Sequence, residues 1–413
     1  MEQKIYVYEC FTNPTDQKMG TIYVDGSTGK EVFSFEYDSG WLEKNKTIIP
    51  LDPELKPYAG RQYVNGQNNM FGVFTDSCPD RWGRLLIQKK ENIQAKKEER
   101  RARKLRDIDF LLGVYDETRM GALRYCINEG EFLSSDKEIA APPWTSLREL
   151  EEASRKIEEE DRMIEKWLQQ LLAPGSSLGG ARPKASVVAP DGSLWIAKFP
   201  SKHDEVNVGA WEMVVHDLAL MCDINVPEAK LEKFSKTGST FLTKRFDRNG
   251  RERIQFESAM TLLGKRDGDD ASTGVSYLDI ASFIARNSAS AKDDLNELWK
   301  RIIFSVAVSN TDDHLRNHGF ILHKEGWRLS PAYDINPNFY GEGLALNIDE
   351  TDNSLSFSLC AEVASVFRVD NPDDYMGFVI DTVENNWRKL ANKYEIGRAK
   401  QEIMVPAFDM SLK

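Results

Sequence analysis

A polar segment with apolar neighbours on both sides, Ser309–Phe320, constrains this chain more than any other feature. An apolar run with helical spacing, Leu298–Val308, precedes the polar residues, and an apolar strand-like run, Gly319–Leu322, ends the segment. A surface loop would explain the polarity of the segment, but not the choice of aspartates, histidines and asparagines in it. The segment therefore predicts a loop that carries chemistry, between an apolar helix and an apolar strand.

The charge and the cysteine content exclude several classes of protein. The 413 residues carry a formal net charge of −12, and an acidic surface is a poor non-specific binder of nucleic acid. Five scattered cysteines predict reduced core residues rather than a disulfide framework or a zinc site. The start of the chain does not read as a secretory signal, and no apolar run approaches the roughly 20 residues that cross a bilayer. We therefore expect a cytoplasmic protein with no membrane partner.

One local run departs from this acidity. The stretch Lys96–Lys104 is basic and compatible with a helix. A solvated helix face with internal ion pairs is the favoured interpretation, and a surface for an acidic partner is the alternative.

The order of the predicted elements indicates an α+β protein. Three short strand-like runs separated by turns predict an antiparallel meander at the start of the chain: Lys4–Phe11, Thr21–Asp25 and Glu31–Tyr37. Helical patterns follow from about Asp80 to Val114, and from a cap at Thr145 or Ser146 to about Leu172. A small-residue loop, a hairpin, a helix over Glu205–Cys222 and two further strands come next, before a largely helical C-terminal part.

This order resembles the two-lobed architecture of protein kinases, in which nucleotide binds between a small β-rich lobe and a larger helical lobe. We therefore expect a two-lobed, protein-kinase-like α+β fold with a β-rich N-terminal subdomain and a helical C-terminal lobe. Its predicted parts are an N-terminal subdomain (1–140), a lobe with a phosphate loop (141–248) and a helical lobe (249–413).

The small-residue loop is a candidate phosphate site. Its glycines, Gly179 and Gly180, let backbone N–H groups approach an anion, and Lys184 adds positive charge. The Gly-Lys-Ser/Thr ending of a Walker A motif is absent. Alone, this loop is weak evidence for a phosphate site, and a flexible surface connection explains it better.

Lys198 is a second candidate, because it lies in an apolar strand-like run one hairpin after that loop. Protein kinases keep the lysine that binds the α- and β-phosphates at this place. Glu212 on the following helix is the predicted partner that orients the lysine, and Glu205 is a competing choice.

Three residues of the polar segment and its surroundings carry the strongest prediction. Asp312 and Asn317 are five residues apart, as are the base and the metal-binding asparagine of the kinase catalytic loop. A carboxylate can accept the proton of a substrate hydroxyl, and an amide oxygen suits Mg²⁺. Asp334 follows a short hairpin and is the predicted second metal ligand.

The histidines of the same region admit a zinc interpretation. His314 and His318 are four residues apart, but the segment reads as a loop and then a strand, and no HExxH set is present. We favour histidines that pack and orient the catalytic loop, and group His314 with the nucleotide-site residues.

As a set, these motifs resemble the HipA family, the kinase toxins of bacterial HipBA toxin–antitoxin modules. The resemblance extends over almost the whole chain. It rests on the following segments: Asp76–Arg84, Met120–Leu123, Pro183-Lys184, Lys198, Arg245–Arg248, Thr311–Asn317 and Tyr333-Asp334.

The resemblance implies roles for these residues. Lys198 would contact the phosphates of ATP, and three consecutive residues, Lys244, Arg245 and Phe246, would line the adenine-binding hinge. Asp312 would be the base, and Asn317 and Asp334 would hold Mg²⁺. Ser177, or the adjacent Ser176, would be the loop serine whose autophosphorylation inactivates the kinase, since a dianionic phosphate beside ATP would repel it.

The resemblance also implies partners. A small helix-turn-helix antitoxin of the HipB type would neutralise the protein and provide its only contact with DNA. The protein substrate would be of the aminoacyl-tRNA synthetase class. Two departures affect the site: Asp313 replaces a frequent glycine and could add a metal ligand or face solvent, and Arg182-Pro183 replaces Gln-Glu in the loop.

Two other functions remain open at this point. One is a nucleotide-binding corepressor with little kinase activity; the intact Lys198, Asp312, Asn317 and Asp334 argue against it. The other is a small-molecule kinase of the same fold, because a fold does not fix the acceptor.

Overall fold

The structure is a computed structural model, and it describes residues 2–13, 15–26, 31–45, 50–65, 69–133, 141–159, 168, 171 and 180–413. Two compact units make up the chain: Met1–Ala197 with Asp247–Glu257, and Lys198–Phe246 with Ser258–Lys413. The sequence predicted three consecutive parts, whereas each of these units combines two separate segments of the chain. The three-part division stays a prediction.

The secondary structure of the described residues is mixed, as predicted. The strands are β1 (Gln3–Glu9), β2 (Gln17–Asp25), β3 (Val32–Tyr37), β4 (Gln62–Tyr63), β5 (Leu123–Cys126), β6 (Lys184–Val188), β7 (Leu194–Lys198), β8 (Ala229–Glu232), β9 (Thr240–Lys244), β10 (Arg248–Asn249), β11 (Glu252–Arg253), β12 (Phe256–Ser258), β13 (Gly319–His323) and β14 (Gly326–Leu329). The helices are α1 (Ser39–Lys44), α2 (Gly72–Thr75), α3 (Arg81–Lys97), α4 (Asp107–Leu112), α5 (Leu147–Glu158), α6 (Val208–Met221), α7 (Ala259–Leu262), α8 (Tyr277–Asn287), α9 (Ala291–Ala307), α10 (Phe357–Glu362), α11 (Pro372–Lys393) and α12 (Arg398–Met404). None of the described helices is long and apolar enough to cross a bilayer.

The first unit is organised around an antiparallel sheet with the strand order β4-β3-β2-β1-β5. Burial alternates along β1, where Ile5 and Val7 are fully buried and their neighbours are not, because successive side chains point to opposite faces. Ile22 lies opposite Ile5 on one side and Phe35 on the other. The predicted meander is therefore confirmed, whereas the addition of β5 beside β1 requires a pairing across more than a hundred residues that local patterns do not contain.

The helix predicted from about Asp80 to Val114 is two helices separated by an irregular segment. Asp80 caps α3 by accepting a hydrogen bond from the backbone N–H of Gly83 (2.8 Å). The helix ends at Lys97, and Glu99 takes a left-handed conformation with φ of 52°. The prediction that Lys96–Lys104 is helical is therefore wrong beyond Lys97, and 101–106 has no regular structure.

The predicted helix that ends near Leu172 is described only in its first half, as α5. Ser146 occupies the cap position, but its side chain makes no capping hydrogen bond. Most of the remaining residues up to Gly179, including Ser176, Ser177 and Gly179, lie outside the described part of the chain.

The second unit contains the hairpin β8–β9, the hairpin β13–β14 and helices packed around aromatic side chains. Asn207 caps α6, and the predicted helix over Glu205–Cys222 is confirmed within three residues at its start. Trp387 of α11 stacks on Phe408 with ring centroids 4.8 Å apart, and Trp211 of α6 packs beside them. This aromatic cluster fixes α6 against α11, and α6 carries Glu212.

Candidate active site

The polar segment forms a tight, buried loop between α9 and β13. Ser309 follows the end of α9 with a φ of 52°, a left-handed conformation that turns the chain sharply. A short 3₁₀ turn, Leu315–Asn317, then leads into β13. The predicted arrangement of apolar helix, polar loop and apolar strand is therefore present.

A second segment, which follows β14, is hydrogen-bonded to this loop. The backbone N–H of Asn336 donates to the Asn310 side chain (3.1 Å), and the N–H of Asn338 donates to the Ser309 carbonyl (3.0 Å). The Asn338 amide also donates to the Thr311 hydroxyl (2.7 Å). These bonds fix Asp334, which precedes them, relative to Asp312.

Asp313 anchors the loop to the interior of the second unit. It is 5% exposed and accepts hydrogen bonds from the hydroxyls of Tyr277 (2.7 Å) and Ser305 (3.3 Å). The His318 ring lies 3.1 Å from its other oxygen. Burial alone would raise the pKa of Asp313, but the charge and hydrogen bond of His318 and the bond from Tyr277 outweigh it, so its pKa is lowered.

Asp313 therefore does not face solvent, and that interpretation from the sequence is wrong, whereas the metal-ligand interpretation stays a prediction. The carboxylate is used inside the protein to hold the loop. The interpretation of His318 as a packing histidine agrees with this contact and with its edge-on packing against Tyr277 (5.6 Å).

Asp312 and Asn317 are hydrogen-bonded to each other within the loop. The Asn317 amide group donates to the backbone carbonyl of Asp312 (2.9 Å). Its Oδ1 atom is buried and accepts no hydrogen bond from any described residue. A buried amide oxygen without a donor is costly unless something else binds it.

Asp312, unlike Asp313, is exposed to solvent. Its pKa is raised, chiefly because part of the carboxylate is removed from water. The negative charges of Asp334 and Asp313 add to this effect, and His314 opposes it. A raised pKa makes the carboxylate a better proton acceptor.

Lys198, at the end of β7, lies between two carboxylates of the second unit. Its ammonium is 2.5 Å from Glu212 Oε1 and 2.7 Å from Asp334 Oδ1. Lys198 is 7% exposed and Glu212 is 3% exposed, so water screens these pairs little. Burial alone would lower the pKa of Lys198, but the two carboxylates outweigh it and its pKa is raised, so the side chain stays charged.

Of the two glutamates considered as the partner of Lys198, only Glu212 contacts it. Glu205 is exposed before α6, and its Oε2 atom is 3.5 Å from the Tyr340 hydroxyl. Asp334 itself has a φ of 59°, a conformation that aspartate tolerates better than most residues and that commonly accompanies a functional constraint.

The remaining predicted nucleotide-site residues of the second unit each have contacts of their own. In the second unit, Lys244 is 3.6 Å from Glu228, Arg245 is buried, and Phe246 packs on Tyr333 with centroids 5.6 Å apart. His314 accepts, through its carbonyl, a hydrogen bond from the N–H of Asn317 (2.8 Å).

In the first unit, the ammonium of Lys184 is paired with the Asp80 carboxylate (2.7 Å), and both are nearly buried. Gly180 has a φ of 88°, which suits glycine. The nucleotide contacts predicted for these two residues stay predictions, as does the role of Ser177, Ser176 and Gly179.

Several residues that build the site were missed by the sequence interpretation. Tyr277, Ser305 and Asn310 support the loop, and Asn336 donates to Asp334 Oδ1 (3.2 Å). The alternation of Asn336 and Asn338 with Ile335, Pro337 and Phe339 was the available signal, because asparagines packed among apolar residues need hydrogen-bond partners.

The residues of the candidate site lie in a segment that matches a known protein family. The model of the HipA-like C-terminal domain matches residues 176–402, which is more than half of the chain and includes Lys198, Asp312, Asn317 and Asp334. The chain belongs to the HipA family.

Relatives of this HipA-family chain include a Haemophilus influenzae protein named "Putative kinase", 28% identical over an alignment of 183 residues; the match covers 39% of this chain and 52% of the relative. A Sinorhizobium fredii protein named "Putative kinase Y4dM" is 28% identical over 183 residues, 40% of this chain and 44% of the relative. The chain spans about half the length of the curated relatives it matches.

Among solved structures, the HipA family member from Shewanella oneidensis, described as a toxin–antitoxin complex of HipA, HipB and operator DNA, superposes with a TM-score of 0.65. The two are 18% identical, and the match covers 98% of this chain and 95% of that chain. This likeness shows the fold, and the predicted two-lobed, kinase-like α+β class is confirmed.

Proposed function

We propose that this HipA-family protein is an ATP-dependent serine/threonine protein kinase and the toxin of a HipBA-like toxin–antitoxin system. The observation that carries the proposal is the position of Lys198, whose ammonium contacts Glu212 and Asp334 at once. A buried lysine between a helix glutamate and a loop aspartate is the arrangement that kinases use to position nucleotide phosphates.

The residues present fit a magnesium–nucleotide complex. The buried Oδ1 atom of Asn317 has no donor among the described residues, and Mg²⁺ prefers oxygen ligands of this type. Within the part of the chain that the structure describes, no three His, Cys, Asp or Glu side chains converge on a metal position. Asn317 and Asp334 would hold the ion together with phosphate oxygens, which is usual for Mg²⁺.

The reaction transfers the γ-phosphoryl group of ATP to a serine or threonine hydroxyl. The hydroxyl oxygen forms a bond to the γ-phosphorus as the bond to the bridging oxygen of ADP breaks, and Asp312 accepts the hydroxyl proton. Lys198 supplies positive charge to the phosphates, and Glu212 keeps its side chain extended towards them. Bound Mg²⁺ supplies charge neutralisation of the phosphate oxygens.

The partners proposed here come from the family. A HipB-like helix-turn-helix antitoxin is proposed because the Shewanella structure contains HipA, HipB and operator DNA. Contact with DNA would then be indirect. An aminoacyl-tRNA synthetase is the substrate class implied by the resemblance, and Ser177 or Ser176 is the proposed site of autophosphorylation.

The test is incubation of the purified protein with labelled ATP and Mg²⁺, followed by mass spectrometry of the peptide that spans Leu172 to Lys184. The Asp312→Asn variant is the matched control, because this side chain is exposed and the change is isosteric. Phosphate on Ser177 or Ser176 in the wild type alone supports the proposal.

Nucleotide binding without any phosphorylated protein product would contradict the proposal. Binding with no turnover at all would favour the nucleotide-binding corepressor. Consumption of ATP only in the presence of small hydroxylated metabolites would favour the small-molecule kinase.

A further inference from the structure

An aromatic pair made of the half-buried Phe339 and the exposed Tyr340 follows Asp334 in the second unit. The rings of Phe339 and Tyr340 are in contact, with centroids 4.1 Å apart and planes at 43°. Tyr340 is 74% exposed, the highest value among the large apolar and aromatic side chains that the structure describes. A tyrosine exposed to this extent offers a large aromatic face to a partner.

The pair is held at a fixed place beside the proposed base. Asn338 donates to the Ser309 carbonyl through its backbone and to the Thr311 hydroxyl through its side chain. Gly341 packs against Thr311 so closely that a Cβ atom would collide with that side chain. The residues on both sides of the aromatic pair are thus fixed to Thr311, the neighbour of Asp312.

The charge around the pair is mainly negative. The Oε2 atom of Glu205 lies 3.5 Å from the Tyr340 hydroxyl, and Glu342 is exposed two residues further along the chain. Asp312 is exposed as well. Among the described residues, the Lys400 ammonium donates to the backbone carbonyl of Glu205 (2.9 Å) and not to its carboxylate. The Glu205 carboxylate is therefore available to a further cation in front of the rings.

We propose that Phe339, Tyr340 and Glu205 form a docking surface for a lysine or arginine side chain of the acceptor polypeptide. The cation would lie against the aromatic faces and pair with Glu205, while the serine or threonine a few residues away reaches Asp312. The acidic chain, with a net charge of −12, would attract such a basic partner at long range. This inference rests on the proposed kinase function and names the class of its acceptor.

The test uses two fluorescent nonapeptides with a central serine among alanines, one with arginines and one with glutamates on both sides of it. Fluorescence anisotropy measures their binding to the full chain in the presence of Mg²⁺ and a non-hydrolysable ATP analogue. Phosphorylation of the same peptides with ATP is measured separately.

We expect the arginine peptide to bind at least about tenfold more tightly than the glutamate peptide. Tyr340→Leu keeps an apolar side chain but removes the aromatic face, and Glu205→Gln removes the charge. Each change is expected to weaken binding of the arginine peptide about fivefold and to raise its KM more than it lowers kcat.

The matched control is Tyr63→Leu, a change of a tyrosine that is 55% exposed in the first unit, and it should leave the binding unchanged. Equal binding of the two peptides, or equal effects of Tyr340→Leu and Tyr63→Leu, would overturn the docking surface. Phosphorylation of both peptides with equal binding would leave the kinase proposal intact. Selective binding of the arginine peptide without any phosphate transfer would support the surface and contradict the kinase.

Discussion

At the scale of single residues, the loop that carries the proposed base depends on a buried carboxylate next to it. Asp313 is acidic like Asp312 and adjacent in sequence, but it is buried among Tyr277, Ser305 and His318. The sequence predicted a polar loop between an apolar helix and an apolar strand, and the structure contains it. It could not assign the two aspartates, because which of them turns inward depends on a tyrosine 36 residues earlier in the chain.

Removal of the Tyr277 hydroxyl tests whether Asp313 holds the loop in place. Tyr277→Phe deletes a hydrogen bond to a buried carboxylate, and we expect the free energy of unfolding to fall by about 1.5–3 kcal/mol. Turnover should fall too, because the loop that carries Asp312 loses an anchor. The measurements are urea unfolding and steady-state phosphate transfer.

The control for Tyr277→Phe is Tyr375→Phe on α11. The Tyr375 hydroxyl donates to the neutral backbone carbonyl of Cys222 (2.7 Å). We expect this change to cost only about 1 kcal/mol and to leave turnover as in the wild type. Equal losses of turnover in both variants would show that Asp313 does not position the loop.

At the scale of secondary-structure elements, two ion pairs connect helices to their surroundings. In the second unit, Asp217 of α6 accepts hydrogen bonds from Lys393 (2.8 Å) and Tyr394 (2.6 Å) at the end of α11. Burial of Asp217 favours its protonated form, but these bonds and the contact with His216 outweigh burial and lower its pKa to about 2.

The lowered pKa of Asp217 predicts a pH dependence of stability. The ordinary pKa is 3.8, so the stabilisation is complete above pH 4 and is lost as the pH falls through the folded-state value of about 2. We expect Asp217→Asn to lower the free energy of unfolding by about 2 kcal/mol at pH 6, and the difference from the wild type to shrink towards pH 2. Urea titrations at several pH values measure it.

Asp381 supplies the control for this prediction. It is exposed on α11 and forms no ion pair with any described residue, so Asp381→Asn should change stability by only a few tenths of a kcal/mol. A difference between Asp217→Asn and the wild type that stays constant with pH would exclude the ionised carboxylate as its cause.

In the first unit, Asp80 has two tasks at the start of α3. It caps the helix, and it pairs with the buried ammonium of Lys184. Asp80→Asn retains the capping oxygen but removes the charge, so only the ion pair is lost. We expect the free energy of unfolding, measured with urea, to fall by about 3 kcal/mol.

Asp38→Asn at the start of α1 is the comparison for Asp80→Asn. Asp38 accepts a capping hydrogen bond from the backbone N–H of Trp41 (3.1 Å) and has no ion pair among the described residues. Asp38→Asn should lower the free energy of unfolding by less than about 0.5 kcal/mol. Similar losses in the two variants would mean that the Lys184 pair contributes no stability.

At the scale of the whole molecule, most local patterns were predicted and most long-range contacts were not. The meander, α6 and the loop before β13 follow from periodicity and turn residues. The pairing of β5 with β1, the division of the chain into units that each combine two sequence segments, and the contact of Lys198 with Asp334 do not. These contacts bring together residues more than a hundred positions apart, which no local window contains.

Binding of nucleotide should be visible in the stability of the whole protein. Mg²⁺ with a non-hydrolysable ATP analogue at about 100 times its dissociation constant should raise the free energy of unfolding by about 2.7 kcal/mol. Asp334→Asn should remove the part of this stabilisation that depends on Mg²⁺, because Asp334 is a proposed ligand. A magnesium-dependent stabilisation of the same size in the variant would contradict that assignment. Turnover is not needed for this measurement.

Two neighbouring positions of the segment after Asp334 should differ sharply in mutational tolerance. Gly341 cannot gain a side chain without displacing Thr311, whereas the Tyr340 side chain is mostly in water. Substitutions at 341 should therefore be eliminated in any selection for a folded protein, while those at 340 persist. Acceptor preference could then diversify in this lineage through one exposed position, without any compensating change in the scaffold.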